Sequence, residues 1–175
     1  MVQIGEAAPD FKLQGAISGQ IKTYTLKEYR KKWVVLFFYP ADFSFICPTE
    51  VKGFSEQAGQ FFQHDAQILG ISVDSPESHL EWAKELQGLR YPLLSDSSKT
   101  VCKTYHVLDP GEGVALRATF LIDPAGKIQY TVISPFNVGR SVEETLRVLQ
   151  ALRTQKMCPA DWKPDQPLLE SGSKF

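Results

Sequence analysis

A chain of 175 residues, 43% of them hydrophobic, is long enough for one domain with an extension and a sizeable core. With 19 Lys+Arg against 20 Asp+Glu the formal charge is −1, which gives no support for nucleic acid or an anionic membrane as a partner. The first nine residues lack a basic stretch followed by an apolar core, and no apolar run approaches the roughly 18 residues of a membrane span. Neither a secretory signal nor a span is expected, and the cytoplasm is the default compartment.

In chain order, Phe11-Lys12-Leu13 and Ile21-Lys22-Thr23-Tyr24 flank a turn from Gly15 to Gly19, which predicts an irregular β-hairpin on one end of a sheet. Trp33 to Tyr39 is continuously apolar, β-branched or aromatic, the signature of a strand buried on both faces. Pro40 stops it, Ala41-Asp42-Phe43 suits a loop, and Ser44 is expected to cap a helix from about Cys47 to Gln63. Val51, Phe54, Ala58, Phe61 and Phe62 form that helix's apolar stripe. Gln67 to Val73 reads as a second central strand, and Asp74-Ser75-Pro76 opens a helix reaching Leu86 or Gln87. A short strand over Tyr91 to Leu94 and a helix opening at Asp96-Ser97-Ser98 come next. Strands over Ala118–Ile122 and Ile128–Ile133 are joined by a hairpin-type turn, so the sheet should be mixed. Ser141 can cap a last helix with Val142, Leu146, Leu149 and Leu152 on one face. From Lys156 onward proline, charge and small residues predict an extended tail, giving a domain over residues 1–155 and a tail over 156–175.

The three cysteines, Cys47, Cys102 and Cys158, are odd in number and widely spaced, which fits catalytic or redox use better than a secreted disulfide framework. Cys47 is expected in the first turn of its helix, with Pro48 where a missing N–H does little damage. Unpaired backbone N–H groups and the positive end of the helix dipole stabilise a thiolate at such a position, and the thiolate is the nucleophile. The competing reading is a buried structural cysteine behind a turn. The residue three after Cys47 is Glu50, so no C-x-x-C pair exists to shuttle a disulfide within one loop, and a second thiol must come from elsewhere. Cys102 and His106 have i, i+4 spacing, but two ligands do not make a metal site, and Cys102 fits a core position between Val101 and Tyr105. His64 and His79 are expected to face solvent.

The segment Phe38 to Glu50, FYPADFSFICPTE, resembles the peroxidatic signature Pro-x-x-x-Thr/Ser-x-x-Cys of peroxiredoxins, most closely the alkyl hydroperoxide reductase C type. The likeness continues at Arg117 with Ala118-Thr119-Phe120-Leu121-Ile122-Asp123-Pro124, and at Met157-Cys158-Pro159-Ala160-Asp161-Trp162. The element order likewise resembles an α/β thioredoxin-like fold, a mixed sheet flanked by helices with an N-terminal hairpin and an extended C-terminal tail. The resemblance implies reduction of hydrogen peroxide and organic hydroperoxides through a Cys47 sulfenic acid, resolved by Cys158 of a partner subunit. It implies that Arg117 stabilises the thiolate and grips peroxide oxygen, Glu50 and Arg140 support Arg117, Ser44 offers a hydroxyl to peroxide, and Pro40 shields the sulfur. Many relatives carry Thr at the Ser44 position. The competing reading of both arginines is a surface salt bridge.

No cofactor and no metal is implied. Electrons would come from thioredoxin or a flavoprotein disulfide reductase. Ile128, Tyr130 and Val132 alternate on a strand that could pair with its own copy, and the resemblance implies a homodimer, with a decameric ring of dimers possible. Relatives sensitive to overoxidation carry a Gly-Gly-Leu-Gly segment and a terminal Tyr-Phe. Here Leu86-Gln87-Gly88-Leu89-Arg90 and the tail from Leu168 to Phe175 have neither, so resistance to overoxidation is expected. Two other classes stay open: a thioredoxin-like chaperone or interaction module without turnover, and a general thiol-disulfide exchanger.

Overall fold

The computed structural model describes residues Val2 to Glu170. The chain divides into two compact units after Arg140. The first is built on one seven-stranded sheet of order β2-β1-β5-β4-β3-β6-β7. Its strands are β1 (Lys12–Ile17), β2 (Gln20–Thr25), β3 (Trp33–Phe38), β4 (Ala66–Ser72), β5 (Leu93–Ser95), β6 (Arg117–Ile122) and β7 (Ile128–Ser134). β4 runs parallel to both β3 and β5, whereas β6 is antiparallel to β3 and β7, so the sheet is mixed as the turn at 123–127 requires. The hairpin β1–β2 joins the sheet edge through pairing of Gln14–Ala16 with Leu93–Ser95.

The centre of the sheet follows from composition. Val34 to Tyr39 are all buried, because an uninterrupted apolar run satisfies both faces of a strand that has a neighbour on each side. Gly70 on β4 is there for space: a Cβ would lie 2.7 Å from the Phe37 ring, which stacks on Phe54 with centroids 4.6 Å apart.

Four local expectations are corrected. The single helix over 47–63 is two, α1 (Cys47–Glu56) and α2 (Ala58–Gln63), because Gln57 at φ −90°, ψ 1° leaves the helical region between the poor helix formers Gly53 and Gly59. Of the expected stripe, Val51, Phe54, Ala58 and Phe61 stay buried across the break, whereas Phe62 is only half-buried. Ser44 does not cap α1: Ile46 occupies the cap position without a side-chain bond, and the Ser44 hydroxyl donates to the Ala41 carbonyl at 3.1 Å. After α3 (Pro76–Glu85), β5 starts two residues later than expected, at Leu93. The next helix, α4 (Thr100–Thr104), starts late because Asp96 closes a turn, its carbonyl accepting from Lys99 N–H and its carboxylate from Cys102 N–H at 2.7 Å.

Cys102 is a core residue, fully buried, as its amphipathic setting indicated. The histidines differ from expectation. His79 is fully buried and His64 half-buried, because His79 faces Asp42 at 2.8 Å and so has a polar partner inside the fold.

The second unit holds α5 (Val142–Thr154), where the Ser141 hydroxyl accepts the Glu144 N–H at 3.0 Å as a helix cap should. Gln155 ends it in the left-handed region at φ 54°. The following segment is folded into turns instead of extended. Arg147 donates to the Trp162 carbonyl at 3.0 Å, the Trp162 indole donates to Gln166, and Leu169 N–H donates to Met157. The end of the tail, residues 171–175, to which the expectation of a missing terminal Tyr-Phe partly applies, lies outside the described residues.

Candidate active site

Cys47 is the first residue of α1 and has no exposed surface. Two segments that are distant in sequence converge on it. Arg117 opens β6, and its Nη1 donates to Cys47 Sγ at 3.3 Å and to Glu50 Oε2 at 2.6 Å, while its Nε donates to the Phe136 carbonyl at 2.9 Å. Glu50 lies one turn after Cys47, so the helix itself presents thiol and carboxylate on one side.

Arg140 is locked from all sides. Its Nε donates to Glu50 Oε1 at 2.9 Å, Nη1 to the Ala118 carbonyl at 2.7 Å and to Thr119 Oγ1, and Nη2 to the Phe38 carbonyl at 2.6 Å and to Glu50 Oε2. Its backbone N–H also donates to Glu50 Oε1, and the guanidinium lies 5.2 Å from the centroid of the Phe37 ring. Burial pushes the Arg140 guanidinium below its ordinary value, and the Glu50 carboxylate opposes that shift. Arg117, Glu50 and Arg140 have 4%, 1% and 3% of their side chains exposed, so the surface ion-pair reading does not hold for either arginine. Two guanidiniums against one carboxylate leave a buried net charge of about +1 beside the sulfur. A thiolate cancels it.

Pro40 is half-buried and ends β3's run; Ser44 is half-buried with its hydroxyl turned back to Ala41. Cys158 belongs to the second unit, half-buried, with Sγ 3.5 Å from Thr154 Oγ1. All three cysteines are free thiols. Among the described residues no group of three or more His, Cys, Asp or Glu is placed to hold a metal ion, and no helix is long and apolar enough to cross a membrane.

This geometry can be set beside known proteins. The AhpC/TSA family profile matches residues 4–131. The chain belongs to the AhpC/TSA family of peroxiredoxins. A chloroplastic 2-Cys peroxiredoxin of Hordeum vulgare is 43% identical over 182 residues, covering 98% of this chain and 87% of that protein. The reduced 2-Cys peroxiredoxin of Plasmodium vivax superposes with TM-score 0.90 at 34% identity, covering 96% of this chain and 93% of that one. AhpC of Mycobacterium tuberculosis gives TM-score 0.84 at 38% identity, covering 93% and 99%. The fold is therefore the thioredoxin-like fold of peroxiredoxins, and the enzyme class is thiol peroxidase.

Within this peroxiredoxin the residues missed from sequence are those behind the loop that leads to Cys47. Asp42, Tyr39, Ser78 and His79 form one buried polar cluster. Nothing in their spacing announces it, since Asp42 and His79 are 37 positions apart.

Proposed function

We propose that Cys47 is the peroxidatic nucleophile of a two-cysteine hydroperoxide reductase. The observation that carries this is the Arg117 Nη1 shared between Cys47 Sγ at 3.3 Å and Glu50 at 2.6 Å in a buried site. The Cys47 thiolate attacks the outer oxygen of a hydroperoxide: an S–O bond forms, the O–O bond breaks, and the leaving alkoxide or hydroxide takes up a proton. Sulfur is oxidised to sulfenic acid and the peroxide is reduced to alcohol or water. Arg117 spans both ends of that charge shift, holding sulfur and presenting its remaining N–H groups to oxygen. Glu50 and Arg140 fix its direction, Pro40 keeps water from the sulfur, and the Ser44 hydroxyl turns from Ala41 to bound peroxide.

Cys158 of the partner subunit, carried on the tail over 156–175, then condenses with the sulfenic acid, forming the disulfide and releasing water. A dithiol reductant, thioredoxin or a flavoprotein disulfide reductase, restores both thiols. β7 is an edge strand of the sheet and pairs with its own copy in the homodimer, from which a decamer can assemble. Three free thiols support the cytoplasm as the compartment. Without the paired glycines near Gly88, Cys158 engages quickly, and the enzyme resists conversion of Cys47 to sulfinic acid.

The decisive experiment is peroxide consumption coupled to a thiol reductant, with oxidised protein run on a non-reducing gel. Cys47→Ser should stop turnover. Cys158→Ser should remove the covalent dimer band; an oxidised wild type that stays monomeric would reject the intersubunit disulfide. Heavy sulfinic acid on Cys47 at low peroxide would reject the resistance.

A further inference from the structure

Two separate sets of contacts hold α1, and they meet it at different turns. The first turn, Cys47 to Glu50, is held by charge: Arg117 donates to Cys47 Sγ and to Glu50, and Arg140 donates to Glu50. The second set comes from the segment between α3 and β5 and uses no charged group of α1. The Tyr91 hydroxyl donates to the Val51 carbonyl at 2.6 Å, and the Arg90 N–H donates to the Ser55 hydroxyl at 3.1 Å. The Arg90 guanidinium lies over the Phe62 ring of α2, 5.5 Å from its centroid. A Cβ on Gly59 would stand 3.3 Å from Arg90 Nη1, so that side chain runs close along α2. The segment is also fixed from behind. After α3, Gln87 and Gly88 take left-handed φ of 66° and 92°, and the Gly88 N–H donates back to the Ala83 carbonyl at 2.8 Å, which reverses the chain. Pro92 restricts Tyr91 to extended backbone, and the Gly70 N–H of β4 donates to the Pro92 carbonyl at 3.2 Å. The Tyr91 ring is fully buried and edge-on to Phe37 of β3, with centroids 5.7 Å apart. Burial holds its phenol well above the ordinary value, so the hydroxyl remains a donor at neutral pH.

The two holds respond differently to oxidation of the sulfur. A disulfide brings two sulfurs to about 2.05 Å, and Cys47 has no exposed surface, so the turn that carries it must open before a second thiol can reach it. Conversion of the thiolate to sulfenic acid takes away the negative charge that faces Arg117, which weakens the first hold. The bonds from Tyr91 and Arg90 involve no sulfur and stay as they were. Unwinding that starts at Cys47 therefore meets a fixed point at Val51, whose carbonyl is also the helix acceptor for the Ser55 N–H.

Resting on the assignment of Cys47 as the peroxidatic nucleophile, we propose that Tyr91 is a positioning residue for the disulfide-forming step. It clasps α1 at Val51, confines opening to the first turn, and so sets how readily the Cys47 sulfur reaches a second thiol. Arg90 closes the clasp through its backbone N–H. Neither residue touches peroxide.

Tyr91→Phe keeps the ring and deletes only the hydroxyl. Hydrogen exchange of the reduced full chain, read by mass spectrometry, should speed up roughly fivefold in the amides of α1, the scale of one hydrogen bond, and not in β3 and β4. Unchanged exchange in α1 overturns the clasp, and so does equal acceleration in the strands, which marks a general loss of stability. After a stoichiometric pulse of hydrogen peroxide, quench-flow mass spectrometry separates the sulfenic acid from the disulfide. The ratio of the disulfide-forming rate to the peroxide rate should rise roughly two- to fivefold in Tyr91→Phe, and an unchanged or lower ratio overturns the proposal. If Tyr91→Phe does not fold, Ser55→Ala, which removes the acceptor of the Arg90 N–H, carries both measurements under the same criteria. A wild type whose Cys47 is not oxidised by peroxide sinks the peroxidase assignment and the step that Tyr91 would set, while exchange in α1 still reads the clasp by itself. A wild type that forms the disulfide, beside a Tyr91→Phe variant with the same ratio and the same exchange, sinks this proposal alone.

Discussion

Cys47 and Cys102 are both fully buried, and their surroundings have opposite charge. Cys47 has the Arg117 guanidinium 3.3 Å from its sulfur in a pocket of net positive charge. Cys102 has burial and the Asp96 carboxylate beside it, and both push its thiol well above the ordinary value. Hiding a thiol from water disfavours the thiolate wherever it is done, so burial alone makes a cysteine inert. The group within hydrogen-bonding reach distinguishes the two sites: the Asp96 carboxylate adds to that penalty at Cys102, whereas a guanidinium faces the sulfur at Cys47.

The largest expected effect in this comparison is removal of each sulfur in turn. Cys47→Ser should lower peroxide turnover by on the order of 10⁴-fold or more, the scale of losing a nucleophile. Cys102→Ala should leave the rate almost unchanged and cost about 1 kcal/mol of stability, read from denaturant unfolding. Equal losses of rate would erase the distinction.

Next in size, Arg117→Ala should slow sulfenic acid formation by roughly 10²- to 10³-fold, comparable to deleting one donor to developing charge. Stopped-flow oxidation with hydrogen peroxide measures it, and an unchanged rate would remove Arg117 from the chemistry. Glu50→Gln leaves two buried guanidiniums without their shared counter-charge. Breaking a buried ion pair from one side costs about 3–5 kcal/mol, so this variant should lose stability far beyond a surface Glu→Gln change such as at Glu81.

A smaller and more selective readout is alkylation of the folded, reduced protein by iodoacetamide at about pH 8. Cys102 should stay unmodified, because its raised value keeps it a thiol, and peptide mass spectrometry reports each cysteine separately. Rapid labelling of Cys102 in the native state would contradict the assigned environment.

The smallest effect is on alkaline stability. Burial holds the phenols of Tyr39, Tyr91 and Tyr105 well above the ordinary value, and Tyr29 is pushed up to about 12. In the unfolded chain these groups release protons near pH ~10, so above that point the folded state binds more protons and stability falls as pH rises. The contribution is intact below about pH 10 and is lost progressively above it. Thermal melts across this range should show a steady decline that Tyr91→Phe reduces, less the stabilisation lost with its 2.6 Å bond to the Val51 carbonyl.

The sequence by itself determined what repeats or is contiguous. The apolar run from Trp33 to Tyr39 became the sheet centre, the 51, 54, 58, 61 stripe stayed buried across a helix break, and Ser141 capped α5. It also placed Cys47 at a helix start, and its likeness to peroxiredoxins named Arg117, Glu50 and Arg140 without saying how they meet. Tertiary structure alone decided that Arg117 donates to sulfur while every N–H of Arg140 is taken, that the Ser44 hydroxyl turns to Ala41 instead of capping, and that His79 is buried against Asp42. The reason is physical. Helix and strand signals arise from side chains a few positions apart on one element, whereas these bonds of Arg117, Arg140 and His79 join groups 22 to 102 positions apart and depend on which strands pair, and a single sequence carries no period that records it.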